Sequence, residues 1–290
     1  ADTTIIVHTL PDATITVAET SGTTHNDATI CRNDLVSLSG VAGNYSYLWN
    51  TTENTNTINS NQLTANTPFS LTVTDNTTMC VNSSSRTITV NALPTPTLSV
   101  VESSGTPNNG EICFNEGASI SVNQSFNGYL WNTNSTTQTI NPPNLQTNTA
   151  YTVTVTDANQ CKAAANTTII VHALPDATIS VADDSGVNSN DGTICDEDDI
   201  TLSVSNNTNN TYLWSTGLGS TSHQIIDAPS ATTTYTVTVT SNFGCVATDS
   251  ELITVNPLPS FTVNFNENNV NSNTTITNDG EICLGDNVVL

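Results

Sequence analysis

Tyr212-Leu213-Trp214, followed downstream by Tyr235-Thr-Val-Thr-Val-Thr-Ser-Asn-Phe-Gly-Cys245, is a pair of segments that occurs three times in this chain. The second copy is Tyr129-Leu130-Trp131 with Tyr151-Thr-Val-Thr-Val-Thr-Asp-Ala-Asn-Gln-Cys161, and the third is Tyr47-Leu48-Trp49 with Phe69-Ser-Leu-Thr-Val-Thr-Asp-Asn-Thr-Thr-Met-Cys80. Trp49 to Trp131 is 82 positions and Trp131 to Trp214 is 83. A fixed internal period outranks chain length as a guide to architecture. Each period is slightly shorter than the ~100 residues of a single immunoglobulin-like sandwich.

Leu-Pro dipeptides punctuate the period at Leu10-Pro11, Leu93-Pro94, Leu174-Pro175 and Leu258-Pro259. Proline does not continue a strand interior and stiffens a linker. The repeats are therefore read as 10–92, 93–173 and 174–257, with 258–290 opening a fourth. Residues 1–9 nearly duplicate Asn166-Thr-Thr-Ile-Ile-Val-His-Ala173, so they read as the last strand of a preceding repeat. No leader or initial Met stands at Ala1, and the chain reads as a mature product or an excerpt.

Within each repeat the order of segments is constant. A first strand such as Ala177–Ala182 leads into a polar loop and an Ile-Cys segment, then an alternating strand, Ile200–Val204. The Tyr-Leu-Trp strand, a short Ile strand, the Thr-Val-Thr strand and a closing strand follow. Period-two alternation buries one face of each strand and wets the other. Seven short strands with frequent turns predict an all-β chain of tandem immunoglobulin-like β-sandwich repeats, arranged as an extended rod. Trp49, Trp131, Trp214, Tyr151 and Tyr235 recur in fixed places and are read as core residues.

Cys31, Cys113, Cys195 and Cys283 each follow an Ile, whereas Cys80, Cys161 and Cys245 each end a Thr-Val-Thr segment. The separations within repeats are 49, 48 and 50 positions. Such constancy reads as a disulfide framework from an oxidising compartment. Pairing within each repeat is the expectation, and a bridge across a junction, such as Cys31 with Cys161, stays open. Cys283 is expected to find its partner outside the chain. No Cys-x-x-Cys occurs, which argues against zinc.

Three basic residues stand against 26 acidic ones, a formal charge of −23. Neutralising phosphates needs Lys and Arg, so the balance argues against nucleic acid as a partner. No run of 18 apolar residues occurs, which argues against membrane insertion. Asp183, Asp184, Asp191, Asp196 and Asp198 cluster in two loops of the third repeat and are candidate calcium ligands, calcium being the only cofactor considered. The competing reading is a solvated acidic loop. No Gly-x-Ser-x-Gly elbow, Gly-rich phosphate loop or His-Glu-x-x-His segment occurs, so no catalytic residue is assigned and no enzyme is expected.

The run from Cys195 through Tyr212-Leu-Trp-Ser-Thr-Gly217, Thr232-Thr-Thr-Tyr-Thr-Val-Thr-Val-Thr240 and Gly244-Cys245 to Pro257-Leu-Pro259 resembles the Ig-like and PKD-like repeats of giant cell-surface adhesins of Bacteroidota. Gliding-motility adhesins of the SprB type, exported by the type IX secretion system, belong to that group. The resemblance implies an extracellular, cell-surface location, a sandwich fold and a stalk or filament role. Its partners would be neighbouring repeats of the same long chain or filament; the surface or glycan ligand is not legible. A rival expectation is the subunit of an extracellular filament that polymerises by strand exchange. A third is a carbohydrate-binding module of a secreted enzyme, which the 5% aromatic content disfavours.

Overall fold

A computed structural model describes residues 3–102, 104, 108–186, 188–215, 221–263, 266–268 and 287–289. The chain forms two compact units, 1–174 with 243–245, and 175–242 with 246–290. The described residues contain strands and turns and no helix.

In the first unit, β1 (Thr16–Ala18), β2 (Thr29–Cys31), β3 (Ser37–Ser39), β4 (Tyr45–Trp49), β5 (Thr57–Asn59), β6 (Thr67–Asp75) and β7 (Val81–Asn91) form one sandwich. One sheet has the order β1-β3-β5 and the other β2-β7-β6-β4. All pairings are antiparallel except β2 with β7, which is parallel. The second sandwich repeats this order with β8 (Leu98–Glu102), β9 (Glu111–Cys113), β10 (Ala118–Val122), β11 (Gly128–Trp131), β12 (Thr139–Ile140), β13 (Thr149–Thr156) and β14 (Lys162–His172). The other unit carries the same pattern in β15 (Ser180–Ala182), β16 (Thr193–Cys195), β17 (Ile200–Ser203), β18 (Thr211–Trp214), β19 (Gln224–Asp227), β20 (Thr233–Thr240) and β21 (Val246–Asn256). Each set is a seven-strand immunoglobulin-type sandwich, so the chain is a tandem β-sandwich protein. Beyond them, β22 (Asn266–Asn268) pairs antiparallel with β23 (Asn287–Val289), as β15 pairs with β17.

Alternation explains the cores. On β6, β13 and β20 every second residue is buried: Phe69, Leu71 and Val73, then Tyr151, Val153 and Val155, then Tyr235, Val237 and Val239. The intervening Thr residues face outward. Trp49, Trp131 and Trp214 are 1%, 1% and 3% exposed, one at the centre of each core. A buried indole N–H needs an acceptor. Each finds one in the loop behind its strand: Trp49 Nε1 donates to Thr55 O (2.9 Å), Trp131 Nε1 to Thr137 O (2.8 Å) and Trp214 Nε1 to Ser222 O (3.1 Å). The tyrosine two residues earlier closes the preceding turn, since Tyr47 donates to Val41 O and Tyr212 to Ser205 O.

Residues 3–9, the described part of the segment read as the last strand of a preceding repeat, pair with no strand here, and Ile5, Ile6 and Val7 stand exposed. Their counterpart in β14 is held by β13 on one side and β9 on the other.

Candidate functional site: the cysteine-linked junctions

Among the described residues the cysteines do not pair within repeats. Cys31 is bonded to Cys161 and Cys113 to Cys245, each with Cα atoms 5.5 Å apart. Both bonds lie in the first unit. The rule is that the Ile-Cys residue of one repeat takes the Thr-Val-Thr-turn cysteine of the next.

Strand length explains this correction. Cys80 immediately precedes β7, an 11-residue strand, and Cys31 is in register with Asn91 at its far end. Eleven residues of extended chain separate the two cysteines of a repeat by ~36 Å. A disulfide requires Cα atoms within ~7 Å. The same geometry separates Cys161 from Cys113 along β14, and Cys245 from Cys195 along β21. Each sandwich therefore presents one cysteine at either end. Cys283 lies outside the described residues.

Both kinds of cysteine sit on a prepared backbone. The residue before each turn cysteine adopts the left-handed region: Met79 (φ 60), Gln160 (φ 62) and Gly244 (φ 81). An aspartate organises the first two of these turns, with Asp75 Oδ1 accepting from the Thr77 and Thr78 N–H groups and Asp157 Oδ1 from those of Asn159 and Cys161. The Thr78 and Thr77 N–H groups hold the Asp75 carboxyl below the usual carboxylate range.

The Ile-Cys strand is a sheet edge, and the polar loop before it serves as its cover. Cys31, Cys113 and Cys195 each donate their N–H to a loop serine: Ser21 (2.7 Å), Ser104 (3.1 Å) and Ser185 (3.3 Å). Two residues before each serine stands an acid whose carboxylate gathers loop N–H groups. Glu19 accepts from Ser21 and Asp27, Glu102 from Asn108 and Gly110, and Asp183 from Gly192. Ahead of the Ile-Cys pair, Asp27, Asn109 and Asp191 accept from the N–H two residues on. After each cysteine a turn closes, with the backbone N–H groups of Asp34, Glu116 and Asp198 donating to Cys31 O, Cys113 O and Cys195 O. The middle residues of those turns, Asn33, Asn115 and Glu197, have φ of 73, 68 and 72.

This arrangement occupies two of the five carboxylates proposed as a calcium site. Asp183 and Asp191 accept from loop N–H groups, whereas Asp196 and Asp198 are held through their backbone N–H groups, which donate to Asn256 O and Cys195 O. Among the described residues no three His, Cys, Asp or Glu side chains converge in a way that would hold a metal ion. Asp183 is one methylene shorter than Glu19 and Glu102, and its Oδ1 is buried without a hydrogen bond. Sequence reasoning missed the capping role, although the spacing Glu/Asp-x-Ser, then Asn-x-Gly/Ala, then x-Ile-Cys recurs in all three repeats.

The two junctions differ in their surroundings. Beside Cys31–Cys161 lies a cavity of ≈ 420 Å³ lined by Thr20, Ser21, Asp34, Gln160 and Lys162 among others. Beside Cys113–Cys245 the Phe243 ring stacks on His172 with centroids 3.6 Å apart, and His172 Nε2 lies 2.9 Å from Glu111 Oε2. His172 is thus a structural residue of the junction.

No family model matches the chain, and no curated protein matches it. Solved structures do align with it. A bacterial ice-binding adhesin of 1.5 MDa, in a structure concerning host cell surface retention, matches at 17% identity over 86% of this chain and 100% of that one, with TM-score 0.30. SGBP-B of the Bacteroides ovatus mixed-linkage glucan utilization locus, in complex with a mixed-linkage heptasaccharide, matches at 14% identity over 89% of this chain and 71% of that one, with TM-score 0.19. Murine CEACAM1b matches at 14% identity over 56% and 100%, with TM-score 0.28. Scores this far below 0.5 carry no argument, and the sandwich assignment rests on the strand pairing described above.

Proposed function

We propose that the chain is a structural segment of a large secreted bacterial surface adhesin, in which serial sandwiches project or present an adhesive surface and take part in gliding motility. It acts by geometry and carries no chemistry of its own. The observation that supports this reading is the placement of the disulfides. A domain that needs stabilising bonds its own strands together. Here Cys31–Cys161 and Cys113–Cys245 join successive repeats and leave each core to Trp49, Trp131 or Trp214 and its neighbours. A covalent link at each junction suits a tether that transmits force. Disulfides persist in oxidising compartments, which supports an extracellular location. The −23 charge keeps such a surface soluble and self-repelling.

The test is antibody labelling of intact cells, combined with deletion of the gene. The expected result is label on unpermeabilised cells, lost together with surface attachment and gliding on deletion. Label that appears only after permeabilisation would overturn the reading.

A further inference from the structure

Four of the six cysteines among the described residues are bonded, and two, Cys80 and Cys195, are free. They are not stray thiols. Cys80 occupies the position of Cys161 and Cys245, after a left-handed residue, Met79, and at the start of an 11-residue strand. Its Asp75 turn matches the Asp157 turn, down to the Asp75 N–H donating to Cys80 O as the Asp157 N–H donates to Cys161 O. Cys195 occupies the position of Cys31 and Cys113. It ends an edge strand parallel to the closing strand, its N–H is held by Ser185, and a turn closes onto its carbonyl. The bonded cysteines of both classes are buried, whereas Cys80 and Cys195 are half-buried. The same backbone that holds a disulfide twice elsewhere in this chain holds a thiol here.

We infer that Cys80 and Cys195 are the two open positions of a disulfide ladder. Cys80 takes the cysteine of an Ile-Cys edge strand, Cys195 takes the cysteine of a Thr-Val-Thr turn, and in each case the partner is another repeat of this architecture. The pairing rule makes the two thiols complementary: Cys80 offers what Cys195 lacks. Each bond forms by thiol–disulfide exchange. One thiolate attacks a disulfide oxidant of the oxidising compartment to give a mixed disulfide, and the second thiolate displaces the oxidant's remaining sulfur. The two thiols lose two protons and two electrons in all, and the oxidant leaves as its reduced dithiol. The inference does not depend on the adhesin reading.

The experiment takes the native protein from its cells, alkylates it during lysis and maps its disulfides by mass spectrometry without reduction. The expected result is Cys80 linked to an Ile-Cys peptide and Cys195 to a turn-cysteine peptide. Alkylated free thiols at both positions, or each cysteine joined to its own class, would overturn the proposal. Denatured mass before and after reduction identifies the partner's source. An unchanged mass places the partner repeats in the same polypeptide, and a fall on reduction assigns them to another copy. A second arm uses the 290-residue chain with Cys283→Ser, carrying either Cys80→Ser or Cys195→Ser, in a glutathione redox buffer. Mixing the two variants is expected to give one covalent heterodimer when the partner is another copy, and none when the native mapping shows a single polypeptide. Homodimers of either variant alone would contradict the complementarity.

Discussion

The bridges Cys31–Cys161 and Cys113–Cys245 share a Cα separation of 5.5 Å and the same flanking turns, yet their neighbourhoods have diverged. At the first, Thr29 and Asn91 occupy the positions that Glu111 and His172 hold at the second, Asn91 in register with Cys31 as His172 is with Cys113. Asn159 stands where the second has Phe243. The first junction is close and polar: Gly22, at φ 77, is so placed that an added Cβ would meet Thr29 O at 3.3 Å and Asn159 O at 3.8 Å. The second adds a ring stack and a hydrogen bond between His172 and Glu111. The bridge and its turns are the constant part of the junction, and the contacts around it vary. The covalent bond should therefore dominate the first junction and share the task at the second.

The largest effect should come from removing the bridges. A disulfide closing 130 or 132 positions stabilises by about 5 kcal/mol on the loop-entropy account when the whole enclosed segment unfolds together. If a neighbouring sandwich stays folded, the loop that opens is shorter and the effect falls toward ~3 kcal/mol. Cys31→Ser with Cys161→Ser, and Cys113→Ser with Cys245→Ser, should both lower stability in denaturant by about 3–5 kcal/mol. Hydrogen exchange should separate them. Protection at 159–161 should vanish with the first bridge, while 243–245 should keep part of its protection without the second. Equal loss at both would break the comparison.

A second contrast lies in the residue two before each Ile of the Ile-Cys strand. Ala28, Gly110 and Gly192 all adopt positive φ, at 72, 79 and 71. An added Cβ would meet nothing closer than 3.5 Å at Gly110 or Gly192, so the cost of alanine there is backbone strain alone. Gly110→Ala and Gly192→Ala should each destabilise by about 1–2 kcal/mol. Ala28→Gly should come out within about 0.5 kcal/mol of neutral, because relief of strain is offset by the loss of a buried methyl. Urea unfolding of the three variants checks this, and a neutral Gly110→Ala would contradict it.

Much of the sandwich was legible in the residues. Tyr-Leu-Trp and Thr-Val-Thr report period-two burial directly, because a half-buried strand cannot hide its alternation. The disulfide pairing was not read, since a separation near 49 is equally constant whether Cys31 bonds Cys80 or Cys161. The deciding signal was the unbroken strand between Cys80 and Leu93-Pro94, which is too long for its two ends to meet. The capping role of the acidic loop was not read, because carboxylates that gather N–H groups and carboxylates that gather a cation look alike in sequence. Glu19 and Glu102, at the position of Asp183, show that role twice more.

Tyr235 and Tyr151 give a smaller contrast between the two units. Burial pushes both phenols up, and at Tyr235 the 2.6 Å bond to Asp227 Oδ2 and that carboxylate's charge push further the same way. The folded state then keeps a proton that the unfolded chain loses above its ordinary value of ~10. The associated stability is fully present below pH ~10 and is lost as pH rises further, about 0.8 kcal/mol for Tyr235 by pH 10.5. Tyr235→Phe should flatten this alkaline slope more than Tyr151→Phe, as measured by denaturant midpoints at pH 8.5 and 10.5. Equal slopes in both variants would remove Asp227 from the account.

The smallest effect should follow Phe243→Ala, which removes the ring beneath His172. A loss of about 0.5–1 kcal/mol is expected with the bridge intact, and a larger change in exchange at 243–245 once the bridge is gone. No change in either state would reduce the second junction to its disulfide.

The central claim is that the bridges join successive repeats, and the scarcity of basic residues makes one digest decisive. Trypsin can cut only after Arg32, Arg86 and Lys162, giving 1–32, 33–86, 87–162 and 163–290. The chain would be alkylated in denaturant, cut without reduction and weighed. Junction pairing predicts that 1–32, 87–162 and 163–290 stay together as one covalent body, with 33–86 not attached to 1–32. A 1–32 fragment bonded to 33–86, with 87–162 and 163–290 separate, would show cysteines paired within repeats and would contradict the account.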